Sequence, residues 1–108
     1  MSSKPAVTVS QLNRMAKTVL EQGIAKLWVE GEISNMARPA SGHIYFSLKD
    51  EKAQVRAAWF RQRQRGPAMR FRDGDKVLAF GRVSVYEPRG DYQLIVDQLE
   101  PAGEGVLK

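Results

Sequence analysis

The sequence of 108 residues contains no cysteine and only one histidine, His43. The absence of cysteine excludes disulfide bonds, zinc sites with thiolate ligands and cysteine nucleophiles. The longest uninterrupted apolar runs, at 57–60 and 77–80, are too short to span a bilayer, which takes about 20 residues. The first residues also lack the apolar stretch of a signal peptide. We therefore expect an unexported cytoplasmic protein with an intact N-terminus and no membrane partner.

Acidic residues are missing from the segment between Lys52 and Arg72. This segment holds seven of the 17 basic residues of the chain and none of its 12 acidic residues, and the chain as a whole carries a net charge of +5. Six of the seven are arginine, whose planar guanidinium group binds phosphate with two hydrogen bonds. A local field of this sign favours a polyanionic partner, either nucleic acid or an anionic surface. A solvated, arginine-rich loop is the alternative.

Groups that could carry catalysis are scarce as well. His43 has no cysteine partner, and no Ser-His-Asp set can be assigned. The acidic pairs Glu30 with Glu32 and Asp73 with Asp75 are typical of a solvated strand face and a turn, rather than of converging metal ligands. No glycine-rich phosphate loop has the GxGxxG or Walker spacing. We predict no catalytic residue, no metal site and no cofactor in this chain.

The N-terminal part of the chain has the pattern of a helix. Thr8 and Gln11 match a capping box, and Gly23 is expected to close the helix. Apolar residues at spacings of three and four predict a stripe that is buried against the rest of the protein, comprising Val9, Leu12, Met15, Ala16, Val19 and Leu20. Arg14 and Lys17 lie away from this stripe, and we expect them to be solvated.

The remaining sequence alternates as β-strands do. Five strands are predicted: Leu27–Asn35, His43–Lys49, Gln54–Phe60, Lys76–Tyr86 and Tyr92–Leu99. Gly31 and Gly81 lie inside two of them and predict sharp bends or bulges. Long, glycine-bent strands favour a small closed barrel over a sandwich. The predicted fold class is therefore all-β with an N-terminal helix.

Turn lengths set the register of the first predicted hairpin. If Asp50–Ala53 is a four-residue turn, Tyr45 faces Ala58 and His43 faces Phe60. One polar, aromatic face then carries His43, Tyr45, Ser47, Lys49, Arg56 and Phe60.

The same arithmetic applies to the second hairpin. If Pro88–Asp91 forms its turn, Val85 faces Leu94 and Val83 faces Val96.

Single-stranded nucleic acid binds to a cationic groove with exposed rings on which bases stack. Tyr45 and Phe60 are candidates for these rings, although Trp59 is an open alternative to Phe60, and Tyr45 is also compatible with an ordinary amphipathic strand. The candidate DNA-binding residues are Arg38, His43, Tyr45, Lys49, Arg56, Phe60, Arg61, Arg63 and Arg65.

Five segments, in their order and spacing, resemble the N-terminal region of the large subunit of bacterial exodeoxyribonuclease VII. They are Thr8–Asn13, Val29–Asn35, Arg38–Asp50, Tyr86–Leu94 and Pro101–Gly105. The resemblance covers roughly residues 7–108 and implies a five-stranded OB-fold barrel that binds single-stranded DNA, for an exonuclease that degrades DNA from both ends. The stretch 61–72 is a variable linker in that family, so its arginines are candidates on charge alone.

The resemblance also implies how the chain is organised. Residues 1–7 are expected to be a flexible leader, 8–100 the OB-fold domain with its helix, and 101–108 the start of a linker to a catalytic region that is absent here. The small subunit of the nuclease would join through that absent region. The chain is thus predicted to bind single-stranded DNA without cutting it. A protein-interaction barrel is the main alternative, and an RNA-binding barrel is a third.

Overall fold

A computed structural model describes residues 3–66 and 70–103. Helix α1 (Val9–Gly23) precedes the five strands β1 (Leu27–Ala37), β2 (Ile44–Lys49), β3 (Gln54–Trp59), β4 (Lys76–Tyr86) and β5 (Asp91–Pro101). The strands close into a barrel in the order β1-β2-β3-β5-β4, with a short 3₁₀ turn at Arg61–Arg63. The predicted five-stranded OB-fold barrel with an N-terminal helix is therefore confirmed. Residues 1–2 of the predicted leader and 104–108 of the predicted linker lie outside the described residues.

The barrel interior is filled by alternate residues of each strand, because neighbouring side chains of a strand point to opposite faces. The buried cluster consists of Ile33, Ile44, Phe46, Leu48, Ala57, Trp59, Phe71, Val77, Ala79, Leu94, Val96 and Leu99. Phe71 comes from the segment that joins β3 to β4, and its ring centroid lies 6.0 Å from that of Trp59. This contact anchors the connecting segment to the core.

The first hairpin has the predicted register, with Tyr45 opposite Ala58. Its turn is stabilised by Asp50, whose side chain accepts hydrogen bonds from the backbone N–H groups of Lys52 (2.8 Å) and Ala53 (2.9 Å). These two bonds hold the pKa of the Asp50 carboxyl below its usual value. The residues expected on one outer face of β2 and β3 are therefore on that face.

The register predicted for the second hairpin is wrong by two residues. Val85 pairs with Tyr92 instead of Leu94, because Tyr86 pairs with Asp91 and the four-residue turn lies at 87–90, one residue earlier than predicted. A shift of two residues keeps every side chain on its original face. The error in pairing therefore does not change which residues are predicted to enter the core.

Gly31 and Gly81 each let a neighbouring group lie close to the strand backbone, but the neighbouring group differs between them. The pairing of β4 with β5 shifts at Gly81 and leaves Asp97 as an extra residue, so the predicted bulge is present here. A Cβ atom on Gly81 would lie only 2.1 Å from the carbonyl oxygen of Ile95. At Gly31 the pairing is regular, and the missing side chain instead makes room for Leu48, whose Cγ would lie 2.8 Å from a Cβ.

Helix α1 begins at the predicted residue, but its apolar side faces solvent instead of the barrel. Thr8 Oγ1 accepts a hydrogen bond from the Gln11 backbone N–H, Gln11 Oε1 accepts one from the Thr8 backbone N–H, and the helix ends at Gly23. The predicted burial of the apolar stripe is wrong, since no residue of α1 is buried. The most exposed apolar side chains of the helix are Val9 (74%), Leu12 (54%), Met15 (55%) and Val19 (67%). Among the described residues, no helix is long and apolar enough to cross a membrane.

The polar side of α1 meets the barrel because the part of β4 that it contacts carries polar side chains on its outer face. Alternation places Val77 and Ala79 in the core and leaves Arg82 and Ser84 on the outer face, where they donate hydrogen bonds to Glu21 at 3.1 and 2.6 Å. Asn13 donates to the Glu87 carbonyl oxygen at 2.9 Å. Arg14 is exposed as expected, although its Nε lies 3.6 Å from the Glu87 carboxylate. Lys17 is only partly exposed, and its Nζ lies 3.3 Å from the same carboxylate.

Candidate nucleic-acid interface

Three rings form a continuous row on the outer face of β2 and β3. The ring centroid of His43 lies 6.4 Å from that of Tyr45 and 5.3 Å from that of Phe60, and both contacts are edge-to-face. All three side chains are partly exposed. The alternative ring, Trp59, is only 2% exposed and belongs to the core. We call His43, Tyr45 and Phe60 the aromatic row.

Local backbone contacts hold the aromatic row in place. The backbone N–H of Arg61 donates to His43 Nδ1 at 3.0 Å. The side-chain amide of Gln64 donates to the carbonyl oxygens of Gly42 (2.9 Å) and Trp59 (3.0 Å). Gly42 has a φ of 91°, and a Cβ there would lie 2.7 Å from Arg61 Cδ. The loop before β2 and the 3₁₀ turn after β3 are thus fastened to each other at the end of the row.

Arg56 adds a positive charge to the same face. Its Nη1 donates a hydrogen bond to Ser47 Oγ at 2.9 Å, and Ser47 is buried beneath it. The guanidinium group is therefore positioned on the strand surface next to Tyr45. Lys49 lies at the far end of β2, where its groove is also lined by carboxylates, namely Glu30, Glu32, Asp50 and Glu51. That setting suits phosphate less well than the surroundings of Arg56.

A groove of about 360 Å³ continues from the other end of the aromatic row. It is lined by His43, Phe60, Gln62, Arg63, Arg82, Ile95 and Asp97. Arg63 Nε lies 3.7 Å from the Asp97 carboxylate, which also pairs with Lys26 at 2.8 Å. The bulge at Asp97 thus places a carboxylate between two cations, and Arg63 keeps an exposed side chain at the groove.

Two of the remaining predicted cations, Arg38 and Arg65, have local partners. Arg65 Nη1 donates to the carbonyl oxygens of Gln62 and Gln64 at 3.3 and 3.2 Å. Arg38 Nη2 donates to the carbonyl oxygen of Phe71, which ties the end of β1 to the segment before β4. Both arginines therefore serve local structure in addition to carrying charge.

Comparison with known proteins identifies the fold family. The family description "OB-fold nucleic acid binding domain" matches residues 7–100. The chain belongs to this OB-fold family. It is 58% identical over 105 residues to the exodeoxyribonuclease 7 large subunit of Stutzerimonas stutzeri, and 61% identical over 102 residues to that of Azotobacter vinelandii. The resemblance seen in the sequence is confirmed. These matches cover 97% and 94% of this chain but only 23% and 22% of the relatives, so the chain spans less than a quarter of their length.

Solved structures share the same barrel. A replication protein A heterotrimer bound to single-stranded DNA matches with a TM-score of 0.62 at 14% identity, covering 78% of this chain and 62% of that one. The Stn1–Ten1 complex of S. pombe matches with a TM-score of 0.63 at 17% identity, covering 77% and 62%. At these identities the likeness establishes the fold alone.

The candidate interface also includes Arg82 and Asp97, which the sequence did not single out. Arg82 and Asp97 reach the groove because β5 lies between β3 and β4, and because β3 pairs with β5 in parallel. Hairpin arithmetic relates only strands that are consecutive in the chain, so it gave no signal for this neighbourhood. Within residues 3–66 and 70–103, no cluster of three or more His, Asp or Glu side chains is arranged to hold a metal ion.

Proposed function

We propose that this chain is the single-stranded DNA-binding module of an exodeoxyribonuclease VII large subunit. The observation that carries the proposal is the aromatic row with Arg56 at its side and Arg63 at its end. Rings supply stacking that tolerates any base, and guanidinium groups supply charge along the backbone, which are the two requirements for binding a single strand. The family match and the high identity to exodeoxyribonuclease 7 large subunits support the assignment.

In this proposal the domain holds DNA and other parts of a longer protein cut it. The longer enzyme would degrade single-stranded DNA from both ends, and its small subunit would join outside this domain. A cytoplasmic location belongs to the same proposal. With the purified chain, end-labelled single-stranded DNA is expected to stay at full length. Shortened DNA in every preparation contradicts the proposal that another part of the protein does the cutting.

Removal of one ring tests the aromatic row directly. Base–aromatic stacking contributes about 1–3 kcal/mol per base, so Tyr45→Ala is expected to weaken binding about 5- to 150-fold, and equally for several homopolymers. Fluorescence anisotropy of labelled oligonucleotides measures the affinity, and a thermal melt confirms folding. Trp28→Ala is the matched control, because Trp28 is 46% exposed but stacks on Phe80 across β1 and β4, outside the row. Normal binding by a folded Tyr45→Ala variant, or a larger loss from Trp28→Ala, contradicts the proposed site.

The salt dependence of binding tests the arginines. If about four cations neutralise phosphates, log affinity falls with log salt with a slope near −3. The double substitution Arg63→Ala with Arg65→Ala is expected to flatten this slope by about 1. Arg14→Ala, on helix α1, removes a charge elsewhere and is expected to leave the slope unchanged. An unchanged slope in the double variant means that this segment is only solvated.

Matched RNA and DNA oligomers separate the DNA-binding proposal from the RNA-binding alternative, since only RNA offers the 2′-hydroxyl. Tighter binding of the RNA oligomer contradicts a DNA-specific role. Among the other possible roles, a protein-interaction surface is favoured by a separate observation, the exposed apolar side of α1.

A further inference from the structure

Helix α1 is amphipathic, but its orientation is the reverse of that of an ordinary surface helix. Its three charged residues, Arg14, Lys17 and Glu21, form ion pairs with the barrel or with the turn after β4. Apart from the partly buried Leu20, its apolar residues face solvent, and four of them are more than half exposed. A surface helix normally keeps charge on the solvent side and buries the apolar side. The exposed side of α1 therefore needs a partner to cover it.

The chemistry of this side excludes several kinds of partner. Binding of nucleic acid depends on cations that neutralise phosphates, and an interfacial membrane helix carries lysine and arginine on its polar face. The two cations of α1 are directed to Glu87 instead. A contiguous, uncharged apolar patch is typical of a surface that another protein covers.

The spacing on the exposed side is that of a helix–helix seam. Val9, Leu12, Ala16 and Val19 follow one another at intervals of three, four and three residues, as the a and d positions of a coiled coil do. We call these four residues the apolar seam. Spacing of this kind allows a helix to pack along a second helix.

The apolar seam is symmetric about position 14. If two copies of α1 lie antiparallel, Val9 faces Val19 of the second copy, and Leu12 faces Ala16. Equal β-branched residues then meet at both ends, and a large residue meets a small one in the middle. The seam carries no charge, so self-pairing brings no like charges together. Such a contact uses the same patch on both copies, which is the requirement for a two-fold dimer.

We propose that α1 of one chain pairs antiparallel with α1 of a second copy through the apolar seam. The helix is held on the barrel in a fixed orientation by the hydrogen bonds of Asn13 and Glu21, so the seam is presented ready for pairing. It packs on β4, whereas the aromatic row lies on β2 and β3, so the proposal does not depend on DNA binding. A helix of 15 residues is about 22 Å long, so the contact is small and the dimer is expected to depend on concentration.

Sedimentation equilibrium of the 108-residue chain, from about 10 µM to about 1 mM, covers the range in which such small interfaces associate. The average mass of the wild type is expected to rise toward twice the monomer mass. Leu12→Glu is expected to stay monomeric throughout, with an unchanged circular dichroism melt because Leu12 is not buried. Thr18→Glu is the control, since it adds the same charge to the same helix away from the seam and is expected to associate as the wild type does. A wild type that stays monomeric, or a Leu12→Glu variant that associates normally, overturns the proposal.

Disulfide trapping tests the antiparallel arrangement, and the lack of native cysteine makes single-cysteine variants unambiguous. A mixture of Val9→Cys and Val19→Cys chains is expected to cross-link under mild oxidation. Either variant alone is expected to cross-link poorly, because its two cysteines would lie about 15 Å apart along the helices, beyond the ~7 Å that a disulfide spans between Cα atoms. Faster cross-linking within one variant than in the mixture contradicts the antiparallel arrangement.

Discussion

Strand β2 and helix α1 both carry a regular apolar pattern, yet they orient it in opposite ways. In β2, Ile44, Phe46 and Leu48 are buried and the residues between them face outward. In α1, the apolar stripe faces solvent and the polar side meets the barrel. A periodic pattern therefore identifies which residues share a face, but the surroundings decide which way that face points.

The physical reason lies in the surface that each element meets. A closed barrel has a single interior, so a strand of its wall can bury its apolar residues only there. Helix α1 lies outside the barrel, where alternation has left Arg82 and Ser84 on the surface of β4. Turning its apolar side inward would cover these polar groups without hydrogen-bond partners, which costs roughly 1–3 kcal/mol for each buried group. The polar side of the helix satisfies them instead.

The sharpest test of this comparison is the same substitution in both elements. Leu48→Ala is expected to lower the free energy of unfolding by about 2–5 kcal/mol, because it removes buried volume from the barrel. Leu12→Ala is expected to change it by less than about 0.5 kcal/mol, since the side chain is solvated and alanine favours helix. Urea unfolding measures both values. Similar losses in the two variants contradict the exposed position of Leu12 in the single chain at low concentration.

Glycine substitutions extend the comparison to the backbone. Gly81→Ala would place a Cβ atom against the Ile95 carbonyl at the bulge, and a loss of about 1–3 kcal/mol is expected because that backbone must move. Gly23→Ala meets no heavy atom within 4 Å at the end of α1, and a gain of up to about 1 kcal/mol is expected. Thermal melts of the two variants should therefore move in opposite directions. Equal losses would indicate that α1 is packed as tightly as the barrel wall.

The smallest expected effect is a pH dependence confined to the helix. The hydrogen bond from Ser84, and then the charges of Lys17 and Arg82, hold the pKa of the Glu21 carboxyl below its usual 4.5. Because the pKa is lower in the folded protein, this contact stabilises the docked helix above about pH 4.5 and is lost as the pH falls through the folded value. Amide exchange in α1 is expected to accelerate below pH 4.5 relative to exchange in β2, after correction for intrinsic rates.

Glu21→Gln provides the control for this effect. Glutamine cannot lose a charge in this range, so the difference between α1 and β2 is expected to become independent of pH in the variant. A pH dependence that persists in Glu21→Gln would assign the effect to another carboxyl group.

Many features of this protein can be predicted from patterns of residues that lie close together in the sequence. The capping box of Thr8 and Gln11, the turn at Asp50, the alternation of β2 and β3, and the burial of the predicted strand cores depend on neighbours within one element or one hairpin. These interactions act over a few residues, so their signals can be seen in the sequence alone. The shared outer face of His43, Tyr45 and Phe60 follows from the same local arithmetic.

The features that the sequence did not predict depend on how the barrel closes. Only the tertiary structure could insert β5 between β3 and β4, and that neighbourhood brings Arg82 and Asp97 to the end of the aromatic row. It also buried Trp59, which the sequence left as an open alternative to Phe60, moved the second turn one residue earlier, and turned the apolar seam of α1 to solvent. The sequence by itself determined which residues lie together on each face, because that depends on the helical and strand periods. The direction of each face depends on what the distant segments present to it, and this is settled only when the barrel closes.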